Sequence, residues 1–477
     1  MANDNKQQRI RDPIHDLIEF GTNLRNVQLE GTLWKVLQTR PFQRLRRVKQ
    51  LGFSDLVYPG ATHSRFAHSV GVFHTSRLLM EIVRKHLNYV QDTRENHALA
   101  AALVHDVGHG PFSHAFEDVG KRLGLKLANH ETLSEELIRS GEIADVLDKG
   151  MEKGFAGNVA DILKKDGVKT VHHAVVSSQF DADRLDYIRR DRFMAGSQHA
   201  GIDFSWLLAN LQIGEVPTGV DDTALSPIDT FVIGPKAIHA AEAYVLGLFQ
   251  LYPTVYFHKA TRGIEKFFEE LLVRIVHLVR QGQLSKTGLD GRHPLIRFAQ
   301  KPDDMESALM LDDTVVWGAL PLMHDAEDIL ISQFSRRLRD RNLFKCVDVR
   351  AKITHELDPK CKESPEIIEA IDKCCALVKD KLTVEMSNVV NGAIPRILID
   401  VAERSPYKPI DKSKGPLDRI MVGTDGKELV DLQERSSVVR GLKTFKLLRA
   451  YADRNDADAL KLIYNTIREE KQKCQKS

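Results

Sequence analysis

The chain has 477 residues, 42% hydrophobic and 28% charged, with 68 basic residues against 66 acidic ones for a formal net charge of +2. That length exceeds what one compact core organises, so two or more lobes are expected. The near balance of charge excludes a protein that coats nucleic acid through its overall field, while leaving room for a local basic pocket.

No apolar run approaches the roughly 20 residues of a membrane helix, and Met1-Ala2-Asn3-Asp4 is polar, without a secretory core. The five cysteines (Cys346, Cys361, Cys374, Cys375, Cys474) show no Cys-x-x-Cys spacing. Reduced thiols in a cytoplasmic protein are expected.

In chain order, residues 1–30 read as an extended lead-in around Arg11-Asp12-Pro13-Ile14-His15. Helical periodicity dominates residues 31–275, as in Phe66, Val70, Phe73 and Leu99, Leu103, Val107. Gly and Pro interrupt it at 58–60, 108–111 and 233–235. Loops follow Arg280, then shorter helices to about residue 341. Strand-like runs occupy 343–349, 397–401 and 419–422, the last joined through Thr424-Asp425-Gly426 to 428–432 as a hairpin. Helices are expected over 359–383 and 456–471. The expected class is mainly α: a helical core over residues 1–280 and a smaller α+β C-terminal lobe over 281–477.

The chemistry gathers around His105-Asp106, at the end of an apolar helical run and followed by Gly108, His109 and His114. Imidazole suits transition metals and carboxylate suits harder cations, so the pair suits a hydrolytic ion such as Mn, Fe, Zn or Mg. His68 follows a Pro-Gly turn in the first turns of a helix. Further on, Asp183, Tyr187 and Asp191 share one helix face, with Arg184 beside it. Each of these alone reads as a solvated or core residue. Four ligand-type residues in the order His, His-Asp, Asp, all on helices, point to a metal site.

That order resembles the HD-domain phosphohydrolase superfamily. Longer strings narrow the resemblance: Asp12-Pro13-Ile14-His15, Phe42-Gln43-Arg44-Leu45-Arg46, Lys49-Gln50-Leu51-Gly52, Arg65-Phe66-x-His68-Ser69, His105 to His114, and Asp183-x-x-Asp186-Tyr187. They are similar to the HD-domain deoxynucleoside triphosphate (dNTP) triphosphohydrolases, in particular the vertebrate HD core that also carries a sterile-alpha-motif domain. The likeness is dense over residues 9–260 and thinner to about 350, and no sterile-alpha-motif domain is expected ahead of it.

The resemblance implies hydrolysis of a dNTP to deoxynucleoside and tripolyphosphate. It implies a divalent ion (Mn, Fe or Zn) on His68, His105, Asp106 and Asp183, and Mg with the triphosphate. It makes His130 and His109 catalytic, with Glu117 orienting His130. Substrate contacts fall on Gln50, Arg65, His114, Arg184, Tyr187, Asp191, Tyr256 and Lys259, and effector contacts on Gln43, Arg44 and Arg46. A homo-oligomer, tetramer or dimer, activated by nucleotide is implied. His114 and His130 also read as helix-surface residues. Two positions depart from the vertebrate pattern: Gln38 stands where an Asp reads guanine in the effector, and Leu248 where an arginine grips phosphate, a role Arg262 is a candidate to take over. The basic run from Arg40 to Lys49 reads as a solvated face, an effector-phosphate site or, with only Phe42 and Phe53 near, a single-stranded nucleic-acid contact. Competing functions are an HD hydrolase of another nucleotide, monophosphate or signalling, and a nucleotide or nucleic-acid binder without turnover. No membrane association is expected.

Overall fold

The computed structural model describes residues 7–21, 26–90, 92–164, 170–199, 201–216, 227–360, 362, 364–383, 394–405, 407, 419–423 and 429–476. Packing divides the chain into two units, neither continuous in sequence. One comprises Met1–Ser113, Lys126–Tyr252 and Ser405–Lys443; the other comprises His114–Leu125, Pro253–Arg404 and Thr444–Ser477. A single cut at residue 280 does not describe this packing. The Lys259–Arg280 helix belongs with the second unit, and residues 405–443 return to the first by strand pairing.

The fold is mainly helical with small sheets. Among the described residues the strands are β1 (Gln8–Asp12), β2 (Asp16–Phe20), β3 (Leu211–Val216), β4 (Ile228–Ile233), β5 (Lys345–Asp348), β6 (Ile397–Arg404), β7 (Met421–Gly423), β8 (Leu429–Asp431) and β9 (Phe445–Ala452).

In the first unit, β1 and β2 form a hairpin with Asp12 opposite Asp16, which takes a φ of 57°. Phe20 then stacks on Phe73 at 5.0 Å, holding the hairpin to the Arg65–His86 helix. That helix begins where Ser64 Oγ accepts from the Ala67 N–H. It packs against the Thr93–Val104 and Ala182–Met194 helices. From His97 to Val104 every residue is buried, so this helix is apolar all round because it is covered all round. The sheet of this unit runs β3-β4-β7-β8, with β4 and β7 parallel and the other pairs antiparallel.

In the second unit the antiparallel sheet β5-β9-β6 carries the Pro365–Thr383 and Ala457–Lys476 helices over a core that includes Val347, Ile371, Val378, Ile397, Leu448 and Ile463. Strands expected at 343–349, 397–401, 419–422 and 428–432 form as β5, β6, β7 and β8. The turn at 424–428 lies outside the described residues, as does Cys361. β3 and β4 fall in a stretch read as helical, and β9 was not anticipated. Its sequence, Phe-Lys-Leu-Leu-Arg-Ala-Tyr-Ala, has the Leu and Ala of a good helix; pairing on both edges, with β5 and β6, makes it a strand. No helix among the described residues is long and apolar enough to cross a membrane. Among the described residues, Cys346, Cys374, Cys375 and Cys474 form no disulfide.

Candidate metal centre

Three helix ends bring the expected ligands together. His68 lies in the first turn of Arg65–His86 and is fully buried. His105 is the C-terminal cap of the Thr93–Val104 helix, with helical dihedrals of its own, and Asp106 follows it in the turn. Asp183 sits in the first turn of Ala182–Met194, where Asp181 caps by accepting the Arg184 N–H at 2.8 Å. One ligand atom each of His68, His105 and Asp183 lies within 4.8 Å of the others. Asp183 Oδ1 is 3.0 Å from His68 Nε2 and 3.7 Å from His105 Nε2. Asp106 joins them, its oxygens 3.7 Å from His68 Nε2 and 3.3 Å from His105 Nε2.

The donor set fits a divalent cation on two observations. Both Nε2 atoms are buried without a hydrogen-bond partner among the described residues, and their rings are turned by what the other nitrogen does. His68 Nδ1 meets Asp186 Oδ2 at 2.8 Å and His105 Nδ1 meets the Ala102 carbonyl at 2.9 Å. Both partners only accept, so each Nδ1 carries a hydrogen and each Nε2 is left facing the site, where a cation would take the place of any proton it holds. The field also calls for positive charge. Burial would depress the His68 imidazole, but the Asp183 and Asp186 carboxylates push it up to about 10. His105 is likewise raised, Asp106 and Asp183 outweighing burial. Burial would raise the Asp106 carboxyl, yet His105, Arg65 and His109 hold it well below the usual carboxylate range.

The loop after Asp106 is tightly supported. Ser134 Oγ accepts from the Gly108 N–H at 2.9 Å and donates to the His105 carbonyl at 3.1 Å. A Cβ on Gly108 would lie 2.4 Å from Ser134 N and 2.5 Å from the His130 carbonyl, so only glycine allows this approach. Phe112 and Ser113 adopt φ of 54° and 57°, a strained turn of the kind held in place at functional sites. Here it aims Ser113 Oγ at Arg65 Nε, 2.8 Å away, while Arg65 Nη1 pairs with Asp106. His109 and His130 stack face to face at 3.9 Å. Asp106, His109 and His130 form a second group able to hold a cation. Burial, Arg65 and His130 keep His109 well below its ordinary value, hence neutral.

Around this group, Tyr187 lies with its ring 6.5 Å from that of His68. Arg184 donates to Gln179 Oε1 at 2.7 Å. Asp191 Oδ1 meets His63 Nε2 at 2.8 Å, and the Gln50 N–H donates to the His63 carbonyl at 3.0 Å. His63 thus links two residues expected to touch one sugar. In the second unit, His114 is exposed and its Nδ1 lies 3.1 Å from Glu117 Oε2. Tyr256 closes the short π-helical segment Tyr252–Tyr256, and exposed Lys259 opens the next helix.

Residues 65–184, which carry His68, His105, Asp106 and Asp183, match the HD domain family. The uncharacterized protein YwfO of Bacillus subtilis is 33% identical over 347 residues, covering 72% of each chain. The chain belongs to the HD-domain phosphohydrolase family. It is similar to the deoxynucleoside triphosphate triphosphohydrolase SAMHD1 of Mus musculus, 27% identical over 374 residues, 70% of this chain and 53% of that one. It spans only about half the length of that relative. A crystal structure of a phosphohydrolase from Bacteroides thetaiotaomicron shares the fold, with a TM-score of 0.69 at 26% identity over 94% of this chain and 100% of the other.

Two expectations for this HD-domain chain are corrected by its packing. Arg44 is 1% exposed and donates to the Val107 carbonyl at 2.9 Å. It is a strut beneath the His-Asp loop, its guanidinium serving the Val107 carbonyl, and it is not a surface contact for an effector. Arg46 is exposed, lying over the Phe66 ring at 3.6 Å and donating to Gln43 Oε1 at 2.9 Å; Gln43 in turn donates to the Leu37 carbonyl. Arg262 binds Asp400 through two nitrogens and Glu265 through a third, so it does not stand in for an arginine at buried Leu248. Asp186, Ser134 and His63 escaped the sequence reading. The strings Asp12-Pro13-Ile14-His15 and Asp183-x-x-Asp186 were the available signal, without a role attached.

Proposed function

We propose that the chain is a metal-dependent dNTP triphosphohydrolase. The observation that carries this reading is the convergence of two buried imidazole nitrogens and two carboxylates beside the stacked pair His109 and His130. His68, His105, Asp106 and Asp183 would hold a divalent ion, of the Mn, Fe or Zn type, with Mg accompanying the triphosphate. When bound, such an ion polarises a phosphoryl oxygen and acidifies a water.

The chain's own groups supply the rest. Water attacks the α-phosphorus, the bond to the 5′ oxygen breaks, and that oxygen leaves with a proton from His130, oriented by Glu117. His109, neutral, serves as a hydrogen-bonding neighbour of the α-phosphate. Arg65, His114, Arg184 and Lys259 bind the phosphates, Gln50 and Asp191 the 3′-hydroxyl, and Tyr187 and Tyr256 pack against the sugar. A 2′-hydroxyl against Tyr256 would be buried without a partner, which favours deoxyribose. Assembly into a dimer or tetramer and activation by a nucleotide, through Gln43 and Arg46, belong to the same proposal.

The test is turnover of the four dNTPs, singly and mixed, with Mn or Mg, resolved by chromatography. Deoxynucleoside and tripolyphosphate are expected from wild type and neither from His105→Ala or Asp106→Ala; activity confined to mixtures would reveal activation. Release of orthophosphate or pyrophosphate, or turnover surviving both substitutions, overturns the reading. Buried Leu248 and the engagement of Arg262 favour a shorter phosphate chain as the second reading, which the same chromatogram separates.

A further inference from the structure

A line of buried charges runs from the N-terminal hairpin to the metal ligand His68. Asp186 is fully buried, and each of its oxygens is used more than once. Oδ2 faces His68 Nδ1 at 2.8 Å and accepts from Arg190 Nε at 2.8 Å. Oδ1 faces His15 Nε2 at 2.6 Å and accepts from Arg190 Nη2 at 2.9 Å. Arg190, itself fully buried, then donates to Asp12 at 2.7 and 3.2 Å. Asp12 ends β1 and also caps the hairpin turn, accepting the Ile14 and His15 N–H groups at 2.9 and 3.1 Å. Space for the network is cut out of the helix that bears His68. One turn beyond it, a Cβ on Gly71 would lie 2.1 Å from Asp186 Oδ1 and 2.3 Å from Arg190 Nη2.

Burying so many charges is costly unless each is paired and held in one geometry. The arrangement spends that cost on one imidazole: Asp186 fixes its tautomer and aims Nε2 at the neighbouring His105 and Asp183. We infer that Asp186 is a positioning residue for the metal site, and that the β1–β2 hairpin, through Asp12 and His15, is a working part of it. This rests on the proposal that His68, His105, Asp106 and Asp183 hold a divalent ion. The hairpin bears no ligand of its own; it sets the carboxylate that sets the histidine, and metal affinity depends on its docking. Outer-shell carboxylates of this kind commonly change metal affinity about 10- to 100-fold.

The experiment uses the full chain, stripped with a chelator and titrated with Mn(II), free ion being read by electron paramagnetic resonance. Co(II) absorption of the loaded protein and far-UV melting are recorded alongside. Asp183→Ala tests the site itself: if wild type takes up no ion, or Asp183→Ala binds as wild type does, the metal reading fails whatever Asp186 does. If wild type binds and Asp183→Ala does not, Asp186→Asn is expected to bind about 10- to 100-fold more weakly with a shifted Co(II) spectrum. Asp12→Asn, which keeps an oxygen for the turn but loses the charge facing Arg190, is expected to show a smaller loss in the same direction. A merely structural network would lower the melting temperature and leave affinity and spectrum of the folded protein unchanged, overturning the inference. Should Asp186→Asn fail to fold, Asp12→Asn decides: binding within about twofold of wild type overturns it.

Discussion

Gly108→Ala tests whether the close approach behind the His-Asp loop is tied to the chemistry in front of it. The new methyl would start 2.4 Å from Ser134 N and 2.5 Å from the His130 carbonyl, both backbone atoms at the start of a helix. Ordinary contact begins near 3.4 Å, so loop and helix must part by about 1 Å. Overpacking of this kind costs about 1–3 kcal/mol. Parting also stretches the bonds of Ser134 to Gly108 and His105, roughly 1 kcal/mol each. A total of about 3–5 kcal/mol should appear in urea unfolding. Because His105 and His130 lie on the two sides of that gap, a 1 Å displacement should also lower turnover per folded molecule by about 100-fold. Gly31→Ala is the control. Its helical site has nothing within 4 Å, so it should be neutral or stabilising by up to about 1 kcal/mol with unchanged turnover. Gly108→Ala unfolding like wild type would refute the packing argument. A loss of stability with full turnover would refute the link to the site.

Two half-buried groups should tilt the pH dependence of stability in opposite directions. His74, beside His15, Arg77, Asp186 and Arg189, is lowered to about 3, burial being the largest cause and Arg77 donating to its Nδ1 at 3.2 Å. It stays neutral in the folded chain while the unfolded chain takes up a proton below pH 6.5. Stability should therefore fall by up to about 1.4 kcal/mol per pH unit below that point, and His74→Gln should flatten the curve between pH 6.5 and 4.5. Glu265 is raised to about 7, chiefly by burial, with Asp400 and Glu269 adding to it against Arg262. The folded chain holds its proton between pH 4.5 and 7 and the unfolded chain does not, so stability should fall as pH rises through that window. Glu265→Gln should remove this slope; equal slopes for wild type and variant in either case refute the assignment.

What lay open in the amino-acid order was whatever is encoded by near neighbours. His105 and Asp106 are adjacent, Arg65 and His68 are one turn apart, and Asp183 and Tyr187 share a helix face, so local periodicity was enough to propose them together. The helical class and four of the short C-terminal strands followed from the same short-range patterning. The supports of the site did not, because they join distant segments. Arg190 reaches Asp12 across 178 positions and His63 reaches Asp191 across 128, and neither pairing leaves a periodic trace. Burial was equally hidden: Arg44 reads as a surface cation and Arg262 as a free one until packing surrounds them. β9 shows the same limit, since its residues suit a helix and only the two strands beside it decide otherwise. Sequence by itself determined which groups could bind a metal. Tertiary structure decided which nitrogen of His68 faces the site, because that depends on Asp186, an acceptor 118 positions away, whereas His105 finds its acceptor one turn back in its own helix.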